Sequence, residues 1–235
     1  MKPHISELWV YLATSPLLWL AATLLAYQAG HALYRRAGSH PAANPVLIAI
    51  AVLVALLKLT HTPFEHYFDG AQFVHFLLGP ATVALAIPLY AQMKRVRALL
   101  LPMAVALVAG CLAATFSAVW IGRWLGASPA VVMSLAPKSV TTPIAMGVAE
   151  RLGGIPSLTA VLVIVTGILG AVCARPILDR LRVRSHAMRG FAIGLAAHGI
   201  GTARAFQESE ETGAFAALGM GLNGLLTAAL LPLVI

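Results

Sequence analysis

The chain has 235 residues, 60% of them hydrophobic and only 10% charged, with a mean hydropathy of +0.86. A soluble domain carries roughly a quarter charged residues and must cover itself with polar surface, so a soluble fold is excluded and lipid is the remaining solvent. The net charge of +8 does not point to nucleic acid, because the basic residues stand in short clusters between apolar runs, the pattern of positive loops held in the cytoplasm.

Spanning helices need about 20 mostly apolar residues, and candidates fall at 8–28, 45–60, 72–92, 99–122, 156–178 and 213–235. The first is read as a retained helix, since no small-residue cleavage site follows Lys2. Arg35 and Arg36 place the next turn in the cytoplasm, and the loop from His61 to Ala71, with Glu65 and Asp69 but no Lys or Arg, is placed outside. Within that loop, His61, Glu65 and His66 have no zinc-site spacing. Gly79-Pro80 and Pro88 kink or break the third candidate. Lys94, Arg95 and Arg97 return the chain to the cytoplasm before 99–122 leads outward to Arg123. Cys111 and Cys173 lie in apolar runs and read as small core residues.

The segment 129–149 is apolar but interrupted. If it crossed, the following helix would leave Arg180, Arg182, Arg184 and Arg189 outside, so a re-entrant path is favoured over a broken crossing. A second interrupted segment, 190–206, is then expected to cross outward, with Glu208, Glu210 and Glu211 outside and the carboxyl terminus inside. Gly219 to Gly224 is read as small-residue packing in the terminal helix. Ser139-Val140-Thr141-Thr142-Pro143-Ile144-Ala145 recurs faintly sixty positions later as Gly199-Ile200-Gly201-Thr202-Ala203-Arg204-Ala205. With one full crossing between them the copies would be inverted, as in many carriers. The expected fold is therefore an all-α integral membrane protein, one polytopic domain over residues 1–235. It would have about seven or eight spanning or re-entrant segments, with two broken helices in an inverted repeat.

The two breaks hold the polar groups. Pro137 and Pro143 remove backbone donors and interrupt the helix, while Lys138, Ser139, Thr141 and Thr142 stand between or beside them. Unwound backbone at membrane depth needs a protein or water-filled surrounding, and an intramembrane Lys needs a cavity or partner. A half-helix starting near Pro143 would add its positive end, so the break is read as a cradle for a small anion. The alternative is a snorkelling Lys beside a hydroxyl-capped kink. In the second break, Gly199 and Gly201 flank the turn, His198 offers a proton near neutral pH, Thr202 matches Thr142, and Arg204 offers a fork for a carboxylate. Here the alternative is a carbonyl-bonded buried His and an interfacial Arg. Glu150 and Glu208 follow the breaks as candidate coupling groups or as exposed loop acids. No nucleophile–base pair, phosphate loop or metal motif appears, so no enzyme, cofactor or metal is expected.

The runs Gly79–Tyr90 (GPATVALAIPLY), Pro137–Ala145 (PKSVTTPIA), Gly153–Pro156 (GGIP) and His198–Ala203 (HGIGTA) resemble the LrgB/CidB family, and the likeness extends from Asn44-Pro45 to the end. Ala197 stands where the family tends to have Ser, so no hydroxyl role carries over there. The resemblance implies a multi-pass protein of the cell (inner) membrane, described in the family as antiholin-like and as controlling murein hydrolases and lysis. It also implies kinship with the plastid glycolate/glycerate translocator and with bacterial proteins of pyruvate uptake. The partners implied are a small carboxylate, a smaller LrgA/CidA-type membrane protein and other copies of the chain.

Overall fold

The structure, a computed structural model, describes residues 15–38 and 43–235, and every element among them is helical. The start of the first expected span, residues 8–14, lies outside the described residues. The chain divides after Ala84 into two compact units.

The first unit contains α1 (Pro16–Arg36), α2 (Pro45–Leu59) and α3 (Phe64–Ala84). Trp19 is fully buried edge-on to Tyr67, with ring centroids 6.0 Å apart, and Ala26, Ala49 and Leu53 form a small core beside it. Asn44 starts α2 by accepting from the Val46 and Leu47 amides. At 15 residues, α2 is shorter than the roughly 20 that a full crossing needs.

The second unit begins with two short helices, α4 (Ala86–Ala91) and α5 (Met93–Ala98). Then follow α6 (Leu100–Trp124), α7 (Pro129–Leu135), α8 (Thr142–Arg151), α9 (Pro156–Arg180), α10 (His186–Phe206) and α11 (Glu210–Val234). Among the described residues, four stretches are long and apolar enough to cross a membrane: Phe64–Ala91, Leu100–Trp124, Pro156–Arg180 and Glu210–Val234. Helices α7, α8 and α10 do not join them, because each arm between their breaks is too short.

Contacts along the chain show what the short arms do. Ser134 near the end of α7 touches the start of α9: its hydroxyl accepts from the Ile155 amide at 2.7 Å, and its carbonyl accepts from the Thr159 hydroxyl at 3.2 Å. A straight path from residue 134 through 155 would separate these groups by about 30 Å. Val132 and Ala136 of the first arm share a core with Val148 of the second, along with Val119 and Leu231. Residues 129–151 are therefore a hairpin that enters and leaves at one end, as the arginine placement predicts.

Residues 190–206, expected to cross, instead double back within one helical pattern. Arg189, in the first turn of α10, donates to Glu208 just beyond its last turn, with Nε to Oε2 at 3.2 Å. The reversal sits at His198, with φ 41° and ψ −134°, so the arms 186–197 and 199–206 run in opposite directions. The first arm runs alongside α11 from Thr212 to Asn223, and the second returns so that Phe206 meets Gly213. Two apolar arms of this length hide as one helical pattern in the sequence.

Glu208, Glu210 and Glu211 thus do not lie across the membrane from the arginines. Arg95 pairs with Glu211, and Arg189 reaches both Asp179 (2.7 Å) and Glu208. This arginine end holds the starts of α6, α10 and α11 and the end of α9; the other end holds the first hairpin's base. The last residue of α11 consequently lies at the end opposite to the arginines, and not on their side as expected.

Candidate functional site

The hairpins enter from opposite ends of the second unit and meet at mid-depth. At the first tip, α7 stops at Leu135, and α8 starts at Thr142 with Thr141 as N-cap and Pro143 within its first turn. Pro137 and Ser139 are buried, and the half-buried Lys138 donates from Nζ to Ser139 Oγ at 3.2 Å. Thr141 and Thr142 are half-buried beside it. The half-helix that the sequence places near Pro143 is thus present.

At the second tip, His198 is 3% exposed, and its Nε2 donates to the Val163 carbonyl of α9 at 2.9 Å. A carbonyl only accepts, so this bond requires the proton on Nε2. Gly167 makes the room: a Cβ there would lie 2.7 Å from the imidazole Cε1. The Thr202 hydroxyl donates to the His198 carbonyl at 2.8 Å and faces Met220, while Gly201 packs under Ala197 and Ile193. Val163 also joins Val140 and Ala145 of the first hairpin in one small core, so the tips share a wall.

Asn223, midway along α11 and 1% exposed, ties the tips together. Its carboxamide nitrogen donates to the Ser139 carbonyl at 3.3 Å and to the Leu195 carbonyl at 3.0 Å. Both carbonyls lie beside a helix break, where the usual helical donor is lost, and a buried carbonyl without a partner is costly. The hydroxyl of Thr227 donates to Asn223 Oδ1 at 3.5 Å and lies 3.4 Å from Cys111 Sγ. A narrow crevice lies here between Thr115, Ser139, Asn223 and Thr227, with no room for a water molecule.

Of the residues singled out in the sequence, the structure brings Lys138, Ser139, Thr141, Thr142, His198, Gly201 and Thr202 to the two tips. It carries three away. Arg204 lies near the arginine end, donating to Gln207; Glu208 holds Arg189; Glu150 is exposed at the far end of α8. Sequence reasoning missed Asn223, which it absorbed into a small-residue stripe. The signal was available, since a carboxamide at mid-membrane needs a partner.

Residues 23–235 match the model of the LrgB-like family. The chain is 37% identical to the uncharacterized protein YwbG of Bacillus subtilis over 213 residues, 91% of this chain and 94% of that one. It is 35% identical to YxaC of the same organism over 91% of this chain and 92% of YxaC. A Bacillus cereus protein named antiholin-like protein LrgB is 28% identical over 93% of this chain and 95% of its own length. No solved structure matches.

Proposed function

The chain belongs to the LrgB-like family, and we propose that it is a carrier for small 2-hydroxy- or 2-oxo-monocarboxylates of the glycolate, glycerate, pyruvate or lactate type. The observation that carries this reading is the meeting of two oppositely directed hairpin tips at Asn223, with a lysine on one tip. Discontinuous helices meeting near mid-depth are a recurring way to build an alternating-access site. Such a site offers a substrate carboxylate the Lys138 ammonium and the first amides of α8, and offers its hydroxyl or keto group the neighbouring threonines. The two hairpins, separated by the single long helix α9, are read as halves of an inverted repeat. Because the crevice admits no water, substrate entry requires one tip to move.

Moving one anion inward against the membrane potential costs about 2.3 kcal/mol per 100 mV, so transport is coupled to an ion. The arginine end faces the cytoplasm of a cell (inner) membrane protein. A smaller LrgA/CidA-type partner and self-association rest on the family resemblance alone.

The name of the Bacillus cereus relative, antiholin-like protein LrgB, favours a second reading, which the family resemblance fills out as a regulator of murein hydrolase activity and lysis without transport of its own. That relative's name supports the second reading more directly, and the tip geometry supports the first. Uptake of labelled glycolate, glycerate, pyruvate and lactate into proteoliposomes, with the chain alone and with its small partner, separates them. We expect accumulation of at least one acid, lost in Lys138→Ala and partly kept in Lys138→Arg. No uptake by folded protein would leave the antiholin-like reading standing; undiminished uptake by Lys138→Ala would remove the site from Lys138.

A further inference from the structure

A groove of about 380 Å³ runs between α6, the end of α9 and the first arm of α10, and its wall is almost wholly apolar. It begins at the arginine end beside Leu99 and Val183, passes Ala106 and Ala192, and stops at Gly110. There Leu195 closes on α6: a Cβ at Gly110 would lie 2.8 Å from its Cδ2. From Leu99 to Gly110 the helical rise is about 16 Å, close to half of the roughly 30 Å hydrocarbon thickness. The groove is therefore one leaflet deep. A transmembrane partner helix would need a groove across both leaflets, whereas one acyl chain needs only this length.

The rim has a definite charge. Arg97, Arg182 and Arg184 flank the lining residues in sequence and are exposed. The ion pairs at this end engage Arg95, Arg175 and Arg189, taking up Glu211, Asp179 and Glu208. Among the described residues, none of the three rim arginines has a carboxylate within ion-pair distance. An apolar slot of one leaflet's depth beneath unmatched cations is complementary to a phospholipid with an anionic head.

We propose that this groove is a binding site for one anionic phospholipid of the arginine-end leaflet, its chain along α6 and its phosphate on Arg97, Arg182 and Arg184. The arm 186–197 forms one wall, so the bound lipid braces the second hairpin. This inference does not depend on the transport reading.

Its test uses the full chain, delipidated in detergent, with phosphatidylglycerol or phosphatidylcholine of identical acyl chains. Thermal unfolding and retention of bound lipid in native mass spectrometry are read together. Phosphatidylglycerol should raise the unfolding temperature and remain bound at one per chain, and phosphatidylcholine should do neither. The triple variant R97Q/R182Q/R184Q should erase that difference. Ala106→Phe with Ala192→Phe should fill the slot and expel the lipid; glycerol phosphate, a head without a chain, tests the slot independently should that variant misfold. Equal effects of the two lipids, a preference surviving the triple variant, or a full shift with glycerol phosphate would overturn the proposal. So would efficient cross-linking of two copies through Ala192→Cys, which would give the groove to a second copy.

Discussion

His198 carries two demands at once. Its φ of 41° with ψ of −134° lies where glycine is at ease and a side chain is strained, and the imidazole is also bonded to Val163 across the tip. Replacing it with Ala removes the ring and keeps the strain, whereas Gly removes the ring and releases the strain. His198→Gly should therefore be the more stable variant by about 1–3 kcal/mol, measured by unfolding in detergent. Equal stabilities, or a more stable Ala variant, would mean that the reversal is not made at this residue. Residues of this kind differ in how far the sequence exposes them. Lys138, between two prolines in an apolar run, is conspicuous because both its charge and its neighbours conflict with a plain membrane helix. Asn223 is neutral, lies inside an unbroken helix and is surrounded by small residues. Its role comes from carbonyls 84 and 28 positions away, which no local pattern encodes.

Among the elements, α10 shows why a break is easier to read than a fold. Gly199 and Gly201 announce an interruption, but whether the chain continues or doubles back depends on Arg189 meeting Glu208, nineteen positions on, and on how the arm 186–197 seats against α11. That seat is backbone against backbone. A Cβ at Gly194 would lie 1.9 Å from the Ala216 carbonyl oxygen, and one at Gly190 would lie 2.1 Å from that of Thr212. Small residues four apart permit this approach, as at other close membrane-helix contacts. The close helix contact expected of Gly219 is present too, against the Phe191 carbonyl. Gly194→Ala should force the helices apart and destabilise by about 1–3 kcal/mol or more. Gly221→Ala, on the open side of α11 where a Cβ meets nothing, should be neutral or stabilising through helix propensity. If the two variants unfold alike in detergent, the seat of the second hairpin is not this tight.

Within the second unit, the two hairpins decide at which end the later loops and the last residue of α11 fall. Counting arginines was enough to turn the first hairpin back, because a crossing there would have stranded four cations outside. The same count gave no warning for the second, since the segment it delivers is acidic and tolerated on either side. What decides is burial. Arg189 is 8% exposed, and in a crossing α10 it would lose Glu208 to the opposite end of the molecule. Asp179 and the Val183 carbonyl would then be left to satisfy Nη1 alone, and the Nε and Nη2 side of the buried guanidinium would be unpartnered. The remaining charges agree: Lys94, Arg95, Arg97, Arg180, Arg182, Arg184 and Arg189 gather at one end of the second unit, against Arg123 and Arg151 at the other. Single cysteines at Ala127, Glu150, Arg184 and Glu210, in a background lacking Cys111 and Cys173, read this directly with an impermeant thiol reagent. Positions 184 and 210 should label together from the cytoplasmic side, and positions 127 and 150 together from outside. Labelling of 210 with 127 and not with 184 would restore a crossing at 190–206. The hairpin tips would then no longer oppose each other across Asn223, and the paired-tip site would have to be abandoned along with the topology.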